Sequence, residues 1–171
     1  MKSVNNIAAL GRLLIIAIVF GITGCAIQLA PPYDKVVADG LTQVNTEAMT
    51  LLATVSSGTK AETFSAREEK YNTLIGKVEA LALQAGARPM PKNKVSDAIN
   101  RALDKRASQQ ITDDDSTPPS AHAIKKVAET FIKMRDTDRK QGITSTEALA
   151  FKGQVIIYLD QATTYENFLQ R

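Results

Sequence analysis

Beyond residue 35, apolar residues return every three or four positions for most of the chain. Val37, Leu41, Val44, Ala48, Leu51 and Val55 are spaced 4, 3, 4, 3 and 4, which aligns them on one face of a helix predicted over about residues 35–56. Asp34 is placed to cap that helix and Tyr33 to pack as its hydrophobic staple, and Ser56-Ser57-Gly58 stops it. A second stripe runs through Phe64, Tyr71, Leu74, Ile75, Val78, Leu81, Ala82 and Ala85, with Gly86 as the expected C-cap and Pro89 beyond it. After a loop over residues 88–94, Val95, Ile99, Ala102 and Leu103 predict a shorter helix, with Lys105 and Arg106 near its C-terminus.

The polar stretch 112–120 (TDDDSTPPS) breaks the pattern, and Ser120 is the expected N-cap of the next helix. Ile124, Val127, Ala128, Phe131 and Met134 or Arg135 carry its stripe until Arg139-Lys140 and Gly142 close it. Thr144 and Glu147 have capping-box spacing. They open a long last helix striped by Ala148, Phe151, Val155, Tyr158, Leu159, Ala162, Tyr165 and Leu169. No stretch shows sustained period-two alternation bounded by turn signals. One-stripe helices must bury that stripe against one another, so the expected fold is all-α, an antiparallel bundle of four to five helices over residues 35–171. Gly76 and Gly153 fall inside helices at a cost of about 1 kcal/mol each relative to Ala, and close helix crossings are expected there.

The N-terminal segment follows a different grammar. Lys2 and Arg12 make a positive region before an unbroken apolar run, residues 13–20 (LLIIAIVF), which breaks at residues 21–24, the order of a secretory signal. The run falls short of the roughly 20 residues that span a bilayer, so cleavage is expected in preference to a retained membrane helix. Ile22-Thr23-Gly24-Cys25 resembles the lipobox of bacterial lipoproteins, with Ile22 where Leu is commoner. The resemblance implies that residues 1–24 are removed, that the Cys25 sulfur carries diacylglycerol, and that its new amino group is acylated. Ala26 in the following position, not Asp, resembles the sorting signal for the outer membrane, facing the periplasm. Residues 25–34 then form a short tether. Pro31-Pro32 favours extended geometry at about 3.1 Å per residue, so the nine residues 26–34 reach at most roughly 28 Å.

Composition changes this picture little. The chain has 171 residues, no Trp, 5% aromatics and one cysteine, which excludes an internal disulfide. Its net charge of +3 falls to about +1 once Lys2 and Arg12 leave with the leader, so no basic stripe points to nucleic acid. His122 is the only histidine, expected as a solvated residue in a first helical turn, and it cannot supply the paired ligands of a di-iron bundle. Asp113-Asp114-Asp115 lacks the alternating spacing and closing Glu of a calcium loop and reads as a solvated acidic loop. Glu68-Glu69-Lys70 belongs to the wet side of its helix. No catalytic residue, cofactor or metal ligand is singled out.

The lipobox, the Pro-Tyr-Asp entry and the helical body together resemble small bacterial outer-membrane lipoproteins of unassigned activity. The expected function is a non-enzymatic, membrane-anchored helical module for protein–protein interaction or envelope assembly. The partners are the membrane, through lipid on Cys25, and another envelope protein. An alternative is a carrier or sensor holding a small apolar ligand in the bundle core, and after it an envelope hydrolase with converging carboxylates.

Overall fold

A computed structural model of the chain describes residues 30–91 and 117–170. The expected leader and lipobox, the start of the tether, the short helix beginning near Val95 and the Asp113-Asp114-Asp115 loop lie outside them. The described residues form four helices and no strand: α1 (Lys35–Val55), α2 (Ser65–Gly86), α3 (Pro119–Gln141) and α4 (Ser145–Leu169), with a 3-10 turn at Ala61–Thr63 leading into α2. The helices run alternately up and down. Each packs on its neighbour in sequence and α4 closes the ring against α1, with the α2–α3 and α3–α4 faces the most extensive.

Local chemistry sets most of the ends. The Asp34 carboxylate accepts the Val36 N–H at 2.8 Å, capping α1. Pro119 sits at the start of α3, where its missing N–H goes unused. Thr144 and Glu147 form the expected capping box of α4, Thr144 Oγ1 accepting the Glu147 N–H and Glu147 Oε2 accepting the Thr144 N–H. The bond from the Thr144 backbone, and after it the one from the Thr144 hydroxyl, hold the Glu147 carboxyl below its usual range. Helix α2 continues through Gly86 and is capped by Ala87 in the right-handed conformation, so Gly86 is its last residue and not its cap. Ser120 is not the cap of α3 either: the cap is Pro118, and Ser120 is fully buried inside the first turn.

The predicted stripes form one continuous core. Val37, Leu41, Val44, Ala48, Leu51 and Val55 of α1, Tyr71, Leu74, Ile75, Val78 and Leu81 of α2, and Ile124, Val127, Phe131 and Met134 of α3 are all buried together. In α4 the buried line is Ala148, Phe151, Val155, Leu159 and Ala162, while Tyr158, Tyr165 and Leu169 are only half-buried. Where the α3 stripe offers Met134 or Arg135, Met134 takes the core and Arg135 the edge. On the wet face of α1, Thr42, Thr46, Thr50 and Thr54 each donate a hydroxyl hydrogen to the carbonyl four residues earlier. Those bonds satisfy hydroxyls that otherwise compete with the helix.

The close helix crossings expected at Gly76 and Gly153 are absent. A Cβ at either position meets nothing within 4 Å, since both point away from the core. The close approach is instead at Gly40, where a Cβ comes within 2.6 Å of Leu81 Cδ1 and the α1 backbone rides against α2. Among the described residues two glycines adopt positive φ, Gly58 at 93° and Gly142 at 80°, and they face each other's loops. A Cβ on Gly142 falls 2.5 Å from the Thr59 carbonyl oxygen. Gly142→Ala is therefore expected to destabilise the fold by about 1–3 kcal/mol or more, whereas Gly76→Ala, in open space, should stabilise it by about 0.5–1 kcal/mol. Urea denaturation of the two variants beside the parent reads both signs.

Candidate functional site

The end of the bundle that carries the α1–α2 and α3–α4 connections is fastened by one buried ion pair. Arg67, in the first turn of α2, points its guanidinium at Asp138 near the end of α3: Nε donates to Oδ2 and Nη2 to Oδ1, both at 2.8 Å. The remaining donors reach back to the connection before α2, Nη1 to the carbonyl and hydroxyl of Thr63 at 3.0 Å and Nη2 to the Lys60 carbonyl at 3.3 Å. Thr59 completes the knot. Its hydroxyl donates to Asp138 Oδ1 and accepts the Ile143 N–H, and its own N–H donates to the Ile143 carbonyl at 2.7 Å. Burial pushes the Asp138 carboxyl up, but the hydrogen bonds from Arg67 and Thr59 outweigh burial and hold it below the usual range. Tyr71, fully buried next to this pair, has its hydroxyl raised by burial and by Asp138, and is the one buried side-chain polar atom among the described residues without a hydrogen-bond partner. Phe64 stacks on Tyr71 with ring centroids 6.2 Å apart, and Arg139, paired with Glu68, lies over Phe64.

A second buried pair holds the opposite end, where α1 begins and the tether enters. Arg88 follows α2 by two residues and reaches Glu166 of α4 through Nη1 at 2.8 Å and through Nη2. Nη2 also donates to Ser120 Oγ at 2.9 Å and Nε to the Ala85 carbonyl at 3.2 Å. Asp138 and Glu166 thus lie on the order of 30 Å apart along the bundle at 1.5 Å rise per residue, each neutralised by its own arginine. They do not converge on a cleft.

The sides of the bundle differ in character. Nine of the 23 residues of α3 are charged, against three of 21 in α1 and four of 25 in α4. Helix α4 also exposes large apolar side chains on the face turned away from the core: Leu149 is 70% exposed, Ile156 43% and Ile157 57%. With Gly153 between them they make an apolar outer line on a helix whose inner line is already buried. A depression of about 830 Å³ opens at the knotted end, lined by hydroxyls, glycines, Lys60 and Lys70 and not by the core stripes.

Of the residues singled out from the sequence, Cys25, Ile22, Thr23 and Gly24 lie outside the described residues. His122 is half-buried in the first turn of α3, not fully solvated. Glu69 and Lys70 are exposed as expected, and Glu68 is half-buried against Arg139. Among the described residues no group of three His, Cys, Asp or Glu side chains is placed to hold a metal ion, and no helix is long and apolar enough to cross a membrane. Sequence reasoning missed Arg67, Asp138, Arg88 and Glu166. Three of them announce themselves by position: Arg67 falls between Phe64 and Tyr71, Asp138 four after Met134, and Glu166 four after Ala162, all on apolar stripes. No family model, curated protein or solved structure matches the chain.

Asp138→Asn leaves Arg67 buried without a counter-charge and is expected to cost about 3–5 kcal/mol in urea denaturation near neutral pH. Because the folded carboxyl titrates below its unfolded value of about 3.9, its stabilisation is complete above that pH and is lost as pH falls through the folded value. The acid limb of a stability–pH curve should therefore be shallower in Asp138→Asn than in the parent. Arg67→Met and Arg88→Met, at opposite ends, should add within about 0.5 kcal/mol in the double variant.

Proposed function

We propose that the chain is a lipid-anchored envelope protein whose helical body acts by binding another protein, not by catalysis. The anchor rests on the order of features in residues 1–25: two cations, a short apolar run, a break, then Ile22-Thr23-Gly24-Cys25. Two or three acyl chains at roughly 0.8 kcal/mol per buried methylene hold such a protein durably. The observation that carries the interaction reading is the outward face of α4, where Leu149, Ile156 and Ile157 are exposed on a helix already committed to the core through its other face. Depletion of charge with retained apolar area is the mark of the central part of a protein interface. The buried carboxylates Asp138 and Glu166 are tied to arginines that hold the bundle closed, consistent with a body built for rigidity.

The test is the intact mass and fractionation of the membrane-extracted protein beside Cys25→Ser. The expected result is a parent lacking residues 1–24 and carrying acyl chains, with both features lost in the variant. A full-length, unmodified parent mass would overturn the anchor.

A further inference from the structure

The two exposed charges that α4 carries beyond its first turn are Lys152 and Asp160. They have opposite sign and each lies four residues from Ile156. Neither is hydrogen-bonded or ion-paired to a described residue, in contrast to Glu68 with Arg139, Lys77 with Glu47 and Lys126 with Glu129 on the other helices. At 3.6 residues per turn, Leu149, Gly153, Ile156, Asp160 and the half-buried Thr163 follow one another at 4, 3, 4 and 3, a single seam down one flank of the helix.

We infer that this seam is a self-pairing surface, on which α4 of a second copy of the chain docks antiparallel about Ile156. The inference rests on the interaction reading of α4, and it is independent of the lipid anchor. A two-fold interface must complement itself, and the placement of charge selects the direction. In an antiparallel pair centred on Ile156, the position four before meets the position four after, so Lys152 faces Asp160 of the second copy, twice. In a parallel pair Lys152 meets Lys152 and Asp160 meets Asp160, which like-charge repulsion disfavours. Ile156 then packs on its symmetry mate at the centre, and Leu149 lies over Thr163 of the other helix. Gly153, which has open space where a Cβ would stand, allows close approach of the two backbones. A seam along one helix of 25 residues, about 37 Å long, is at the small end of specific interfaces, so the association is reversible.

Sedimentation velocity of the membrane-extracted chain in detergent, over a roughly hundredfold dilution series, tests it, with the parent compared to Lys152→Glu, Asp160→Lys and the double variant. Both side chains are exposed and have no ion-pair partner among the described residues, so circular dichroism should show all four proteins equally folded. The expected result is a monomer–dimer equilibrium in the parent, dissociation constants at least tenfold weaker in each single variant, and recovery in the double variant, where the two signs are exchanged and the facing charges are opposite again. A parent that stays monomeric throughout overturns self-pairing and leaves α4 to be tested against other envelope proteins by crosslinking. A dimer indifferent to the single exchanges overturns the antiparallel seam, since a parallel pair keeps like facing like in every variant.

Discussion

Arg67 brings five N–H donors and a full charge to a largely buried place at the end of the bundle, and the bundle is arranged around satisfying them. An unpaired guanidinium there costs several kcal/mol, so every group that accepts from it must be held in position: the Asp138 carboxylate, the Thr63 carbonyl and hydroxyl, and the Lys60 carbonyl. These groups belong to α3 and to the connection before α2, while Thr59 ties in the loop before α4 through Ile143. One side chain therefore sets the register of three separate pieces of chain. An aspartate in the last turn of a helix is unfavourably placed against the helix dipole, and the arginine also offsets that. Gly58 and Gly142 follow from the same constraint, because the two loops can close on each other only where backbone adopts positive φ without a Cβ in the way.

Dispersion and burial of the stripes supply most of the attraction between the helices, but they are indifferent to axial sliding by a turn. The two arginine pairs are not. Each is bidentate, with geometry that tolerates little displacement, and they sit at opposite ends, so sliding or tilting of α3 against α2, or of α4 against the α2 terminus, disturbs at least one. That rigidity suits a surface whose outer seam on α4 must present Leu149, Ile156, Lys152 and Asp160 in fixed relation.

The helices and their inward faces were legible because an apolar period near 3.6 has one physical solution in water, and the caps at Asp34 and Thr144 because their side chains act within three residues. What lay beyond that reach was the pairing across the bundle. Arg67, Asp138 and Glu166 interrupt apolar stripes in phase, which is a readable signal, yet nothing local says which charge meets which. Arg88 sits after the stripe has ended and reads as loop. Ser120 has the chemistry of a cap but is turned inward by the guanidinium it accepts from. Gly76 and Gly153 show why a mid-helix glycine is ambiguous in sequence: it serves a close crossing or an open surface equally, and only the direction each position faces separates the two. The exposed line on α4 was hidden for a related reason: a helix apolar on both faces looks, position by position, like a deeply buried one.

The hydrogen bond between Arg88 and Ser120 joins two points separated by 32 positions in the chain. The end of α2 and the start of α3 are thus fixed to each other by side chains of the core, with Glu166 of α4 as the floor of the contact. Closing a loop whose ends are already held costs little more as it lengthens, about 0.6 kcal/mol for each doubling. The contact between Arg88, Ser120 and Glu166 thus makes strict demands on sequence, while the length of the connection between α2 and α3 enters only weakly. The four described helices can in this way accept a longer or shorter connection at their tether end without renegotiating the core they share.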